Sequence, residues 1–339
     1  MTDSLTAPCH DRFQPSTMSP WAHPVTHLPL IVRDNALCDP ETSEPVAPII
    51  DGIPRFVDPA ENYAESFGWQ WKNWADTRSM SRGATDSLRD LILARTHFEE
   101  FDLTGKTILE CGMGGGDDTE ALLTLPFSEV HAFDLSTAVE RGHRHLQCDR
   151  LFVSQASIFD IPYPDESFDV VYCHRVLQHT PDPEAALACI CRKVKPGGII
   201  FAHAYKRSVA HMIEWRYKYR WLTKRLPRRW IHRYVEACGT WMHHLNRVLY
   251  AWLPTRFLAY TCVPFYFCYG TVENGSALGS KERIELEKLI TFDALTPMHD
   301  HPMRASVFTR ILREHGFELV HFHNPIRSPM YCTAVRTGA

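Results

Sequence analysis

Three patterns are missing from this 339-residue chain: it has no C-x-x-C, no H-E-x-x-H, and no unbroken apolar run long enough to cross a bilayer. Without those spacings the nineteen histidines and eleven cysteines have no recognisable ligand set. They read as core and surface residues, and no metal is expected. Cys189 and Cys191 stand two apart on a helix-compatible stretch, where side chains do not face each other. The most apolar stretch, residues 249–270, is cut by Pro254, Arg256 and Pro264, which excludes an ordinary spanning helix. The chain also shows no leading secretory signal, so free thiols in a reducing, cytoplasmic compartment are expected. A net charge of −4 and 45% hydrophobic residues exclude a disordered or nucleic-acid-coating protein.

What is present is a glycine-rich turn. Residues 107–118 read TILECGMGGGDD, a short apolar run that ends in Glu110, breaks into glycines and leads into DTEALLTL. That pattern predicts a strand, a tight turn and a helix start, with backbone N–H groups free to approach a ligand at the helix N-terminus. A dinucleotide fingerprint requires a third glycine where Asp117 stands. The run reads instead as E-x-G-x-G-x-G, from Glu110 to Gly116. A carboxylate at the strand end repels a pyrophosphate but suits an ammonium or sulfonium cation. Further on, EVHAFDLS predicts a second strand ending in Asp134, whose carboxylate can accept hydrogen bonds from both ribose hydroxyls.

The glycine run resembles the class I S-adenosylmethionine (SAM)-dependent methyltransferases. Residues 151–204 carry the closest resemblance, to the ubiquinone/menaquinone-biosynthesis type: Ile161-Pro162-Tyr163, Ser167-Phe168-Asp169, Val176-Leu177-Gln178-His179 and Lys195-Pro196-Gly197-Gly198. The resemblance implies SAM as cofactor, held by Glu110, Gly112, Met113, Gly114, Gly116, Asp134 and Leu135. Ser157, standing where many relatives place Asp, and Ile158 would meet the adenine. Cys173 and Arg175 would border the methionine part, with Arg175 pairing its carboxylate. His174 and His179 are the catalytic candidates. The text YAESFGWQW resembles a segment that packs over the cofactor in this family, which makes Tyr63, Phe67, Trp69, Gln70 and Trp71 candidate lid residues.

The expected organisation is a flexible arm at 1–27, a β-rich module at 28–57, N-terminal cap helices at 58–104, a SAM-binding core at 105–205, a helical lid insertion at 206–290 and the C-terminal part of the core at 291–339. The module resembles a zinc-ribbon-like domain, but Val32 and Asn35 stand at the C-x-x-C positions and only Cys38 remains, so a degenerate, metal-free remnant is expected. The fold class is α/β, a Rossmann-like seven-stranded methyltransferase sheet with helical lid and small N-terminal module.

Residues 205–233 hold ten Lys/Arg against one acid, Glu214, interleaved with Trp215, Tyr217, Tyr219, Trp221 and Trp230. Basic aromatic text suits anionic headgroups, lipid-linked phosphates or nucleic-acid bases. It predicts peripheral contact with an anionic membrane or a phosphate-bearing substrate through Arg216, Lys218, Arg220, Lys224, Arg225, Arg228 and Arg229. The leading functional reading is methyl transfer to a small-molecule, sugar or lipid-linked acceptor. An RNA or protein methyltransferase docking through this segment, and a non-catalytic partner protein of the same fold, stay open as alternatives. CHRVL at the end of the fourth strand in place of N-P-P-Y argues against amino-group methylation of bases and glutamine, and the intact Glu110–Gly116 run and Asp134 argue against a non-catalytic partner.

Overall fold

In the computed structural model, which describes residues 18–57, 63–74, 85–268, 279–326 and 329–338, the expected strands form the centre of the molecule. Thr107–Cys111, Glu129–Asp134, Leu151–Gln155, Phe168–Cys173 and Val194–Ala204 are parallel strands. They are β6 to β10 in chain order, after five strands of the N-terminal module. Phe317–His323 (β11) and Met330–Arg336 (β12) close one edge antiparallel, giving the seven-stranded order β11-β12-β10-β9-β6-β7-β8. Residues such as Ile108, Leu109, Val170 and Val171 are fully buried, because helices cover both faces of the sheet. The order reverses between β6 and β9, and the carboxyl ends of strands on either side open a crevice there.

The module consists of Met18–Ala22 (β1), Pro29–Arg33 (β2), Ala36–Cys38 (β3), Pro45–Ile50 (β4) and Ile53–Pro54 (β5), an antiparallel meander in sequential order. β1 corrects the expectation of a mobile arm through residue 27. Trp21 is buried and the Ala22 amide donates to the Pro162 carbonyl, so tertiary packing orders this stretch. Residues 1–17 of that arm lie outside the described residues. Asp34 and Asn35 both take positive φ, 46° and 59°, and make a tight hairpin turn between β2 and β3.

Helices α1 (Glu65–Asn73) and α2 (Thr85–Thr96) do not form one cap. Leu88 and Ile92 of α2 pack with the sheet, whereas Trp69 and Trp74 at α1 pack with the lid. The core helices are α3 (Asp117–Leu122), α4 (Val139–His145) and α5 (Pro183–Arg192). α5 starts where Asp182 accepts from the amides of Glu184 and Ala185 and Pro183 opens the first turn.

The lid comprises α6 (Val209–Met212), α7 (Trp215–Thr223), α8 (Arg228–Leu249), α9 (Leu253–Cys262) and α10 (Ser280–Leu295). Residues 291–295 do not return to the core. They complete α10, and Phe292 and Leu295 join Trp215, Ile231 and Val235 in the lid's own apolar cluster. The return begins after α10, and α11 (Ala305–Glu314) packs on the sheet through Phe308 and Leu312.

Two of the cations expected on a docking surface are internal. Arg216 is 6% exposed, paired with Glu214 at 3.1 Å and Asp300 at 3.6 Å. Arg220 is 7% exposed and donates to the carbonyls of Ala294 and Pro297, tying α7 to the end of α10. Guanidinium forks satisfy buried carbonyls and carboxylates that would otherwise lack partners.

Candidate functional site

A cavity of about 660 Å³ lies between the carboxyl ends of the sheet and the lid. Its floor is the glycine turn. Gly112 has φ +83°, and a Cβ there would stand 2.1 Å from Val176 Cγ2, so glycine is required both by the turn and by this close approach. Gly116, at φ +91°, caps α3. Directly after it come Asp117 and Asp118, which line the cavity together with Glu110 and Asp134.

Four carboxyl groups therefore converge at one end. Glu110 is buried and accepts from the Thr119 hydroxyl at 2.6 Å. Burial, followed by the negative charge of Asp118, pushes its carboxyl up to about 8. Asp134 is held by the amides of Gly114 (2.9 Å) and Ser136 (2.8 Å) and by the Ser136 hydroxyl (2.7 Å). Such a cluster in a buried site suits a cationic ligand, since each acid disfavours ionisation of its neighbours until a positive charge arrives. The residues thus fit SAM, whose ammonium and sulfonium carry positive charge.

Arg95 of α2 and Arg175, after β9, also line the cavity. Arg175 takes φ +62°, rare for a non-glycine residue, and its amide donates to His203 Nδ1 at 3.3 Å. His174 Nδ1 donates to Asp118 at 2.7 Å, and burial lowers its pKa to about 4 despite that partner.

His179 sits on a short 3₁₀ turn, Leu177–His179, at the junction with a second cavity of about 360 Å³. Its ring is wedged between Phe67 (4.9 Å between centroids) and Tyr205 (5.8 Å), each edge-on. Nδ1 lies 3.2 Å from the His299 carbonyl, which can only accept, so Nδ1 carries the proton. Nε2 is left as an unprotonated acceptor with no hydrogen-bond partner among the described residues. Burial lowers the pKa of His179, which keeps the ring neutral.

Of the residues singled out from sequence, Glu110, Gly112, Met113, Gly114, Asp134, Leu135, Ile158, His174, Arg175 and His179 line the cavity, as do Tyr63 and Phe67. Gly116, Ser157 and Cys173 do not; Gly116 shapes the turn, and Cys173 is enclosed in the apolar core. Trp69 and Gln70 do not reach the cavity either. Trp69 stacks on Phe292 at 4.8 Å, and Gln70 donates at 2.8 Å to Asp293, which itself lines the cavity, so both fasten α1 to α10. The side chain of Trp71 lies outside the described residues.

Sequence reasoning missed Arg95, Asp118, His203, Asp293 and Tyr331. Asp117-Asp118 after the last glycine was a legible signal. Arg95 and Tyr331 arrive from distant helices and strands and carry no local one.

Residues 109–202 match the protein-family profile described as a methyltransferase domain. The ubiquinone biosynthesis O-methyltransferase of Pasteurella multocida is 28% identical over 119 residues, 32% of this chain and 49% of that protein. Its counterpart in Thiobacillus denitrificans is 38% identical over 112 residues, 31% and 47% of the two chains. The chain thus spans about half the length of these curated relatives. The solved structure of an S-adenosylmethionine-dependent methyltransferase from Mesorhizobium loti aligns with a TM-score of 0.43 at 13% identity, covering 73% of this chain and 98% of the other. With the sheet order and the family profile in agreement, the chain carries a class I SAM-dependent methyltransferase domain built around residues 109–202.

Proposed function

We propose that the protein transfers a methyl group from SAM to a hydroxyl of a small, largely apolar acceptor held between sheet and lid. The observation that carries this reading is the neutral His179, which faces both cavities with Nε2 unprotonated. When bound, SAM supplies an electrophilic methyl for in-line displacement, so the protein's own work is to position, to exclude water and to take a proton.

Glu110 with Asp118 would hold the ammonium end, Asp134 the ribose, Ile158 the adenine face, and Arg175 with Arg95 the methionine carboxylate. His179 Nε2 would accept the hydroxyl proton of the acceptor as its oxygen becomes nucleophilic. The His299 carbonyl keeps the proton on Nδ1, while Phe67 and Tyr205 fix the ring plane. Leu286, Leu289, Ile290 and Phe267 of the lid close the acceptor side with apolar surface, which shuts out water. The O-methyltransferase names of the relatives agree with a hydroxyl acceptor of low molecular weight. Ten free cysteines among the described residues suit a reducing compartment such as the cytoplasm.

The direct test incubates the protein with isotopically labelled SAM and a metabolite extract and follows the label by mass spectrometry. Label in a small hydroxyl-bearing product is the expected result; label only in protein or RNA overturns the reading. Asp134→Ala is expected to weaken SAM binding at least about tenfold, because it removes charge-assisted hydrogen bonds. Calorimetry showing unchanged affinity would remove Asp134 from the ribose site.

A further inference from the structure

α8 has an apolar stripe it does not need for folding. Ile231, Val235 and Gly239 already face inward against the lid cluster and α10. On another side of the helix Trp230, Ala237, Trp241 and Val248 fall within about 20° of one line, and all four are exposed. The two tryptophans and the valine have 53%, 61% and 71% of their surface in water. The chain continues into α9 with Trp252 and Leu253 at 74% and 82%, followed by Phe257 and Leu258. Twelve of the eighteen exposed large apolar side chains among the described residues fall between 209 and 258. Scattered singly, exposed apolar residues mean little; gathered like this they mark a surface that is covered by something.

The charge around the stripe says what covers it. Exposed Arg229, Arg233 and Arg247 run along a single flank of the stripe. Residues 206–258 hold twelve Lys/Arg and two acids, net +10, so the rest of a chain of net charge −4 carries −14. Cations on an otherwise acidic molecule are thus gathered on the segment that also exposes its tryptophans. No helix among the described residues is long and apolar enough to cross a membrane. An amphipathic helix with Trp on one face and Arg beside it lies in the plane of a lipid surface instead, its tryptophans at headgroup level and its arginine stems extended along the apolar boundary.

We infer that α8 and the start of α9 dock on an anionic phospholipid bilayer, the stripe of Trp230, Trp241 and Val248 entering the headgroup boundary and Arg229, Arg233 and Arg247 meeting lipid phosphates. This extends the docking surface past residue 233, where the basic segment ends, along α8 to the start of α9. α10, which packs against the inner side of α8, lines the cavity through Leu286, Leu289 and Ile290. A lipid-soluble acceptor would then be received from the bilayer. That last consequence rests on the proposed methyl-transfer reading, whereas the docking itself does not.

The test uses the full chain without cofactor or acceptor, so its failure says nothing about methyl transfer. Co-sedimentation is measured with vesicles of phosphatidylcholine alone and of phosphatidylcholine with phosphatidylglycerol, at low and high salt. Binding to the anionic vesicles, weakened by salt as exposed cations are screened, is expected. The Trp230→Ser/Trp241→Ser double variant should lose at least about tenfold in partitioning while keeping its melting temperature and its affinity for S-adenosylhomocysteine. No binding, or equal binding to both vesicle types, overturns the inference. So does concentration-dependent self-association in sedimentation velocity that the double variant abolishes without any vesicle binding, because the stripe would then face a second copy of the chain.

Discussion

At the scale of single residues, the two histidines near β9 divide by their partners. His174 gives its Nδ1 proton to a carboxylate inside the acidic cluster, whereas His179, which lines both cavities, gives its Nδ1 proton to a backbone carbonyl. His179→Ala is therefore expected to lower kcat by about 10²–10⁴-fold with little change in the affinity for S-adenosylhomocysteine. Because burial lowers its pKa, the acid limb of kcat/KM belongs below pH 6.5, and a wild-type midpoint above that value would assign the base elsewhere. Glu110 gives a second pH test. Its carboxyl is raised from 4.5 to about 8, so in that window the cofactor-free folded protein holds a proton that the unfolded chain has released. Stability must then fall as pH rises through the window. Glu110→Gln cannot ionise and should raise the melting temperature by several degrees at pH 8 relative to wild type, with a much smaller difference at pH 4.5, while SAM binds more weakly. Calorimetric scans at the two pH values decide it, and equal differences at both would refute the buried acid.

At the scale of elements, the strands of the sheet were readable because residues buried on both faces make short apolar runs bounded by turn residues, as in TILEC and FDVVYC. The lid was readable only as helical and basic. Its helix α10 shows why the boundary at 290 failed: its sixteen residues bury Leu286, Leu289 and Phe292 but also Glu287 and Lys288, so no clean helical stripe marks where it ends. Buried Glu287 is matched by His243 at 2.9 Å, and Lys288 by Glu236 at 2.9 Å, partners that lie on α8, far away in sequence. Phe292, fully buried against Trp69 and Trp74, holds α1 and the lid together. Phe292→Ala should cost about 3–5 kcal/mol in lid packing, seen as faster proteolysis within α8–α10 while the sheet domain resists. Unchanged proteolysis would show that the cluster does not hold the lid closed.

At the scale of the whole molecule, the N-terminal sheet and the methyltransferase sheet meet along β8. The Phe56 amide donates to the Gln155 carbonyl, and Arg55 donates to the Gln155 side chain at 2.9 Å and pairs with Glu140 of α4 at 3.3 Å. Trp21 packs edge-on to Phe152 of the same strand. The module thus covers an edge that would otherwise expose unpaired backbone groups. Arg55→Ala is expected to cost about 1–3 kcal/mol and to lower a single melting transition by a few degrees. Two separated transitions in calorimetry would mean that the module and the core unfold independently.

The glycine turn, the cavity-lining acid Asp134 at the end of β7 and the order of the core elements were legible in the chain itself, since each depends on residues within one strand–turn–helix unit and on a period that neighbouring residues set. Cavity roles beyond those units depended on contacts between distant segments. Arg95 reaches the site from α2, Trp69 and Gln70 do not line it because α10 offers them Phe292 and Asp293 as partners, and Arg216 and Arg220 are engaged inside the molecule by Glu214, Asp300 and two carbonyls. A charged side chain's role is set by what stands opposite it, and for this lid the opposing groups are up to about eighty residues away in the chain. Only the folded arrangement could separate the arginines that hold the lid together from those, on α8, that remain in water.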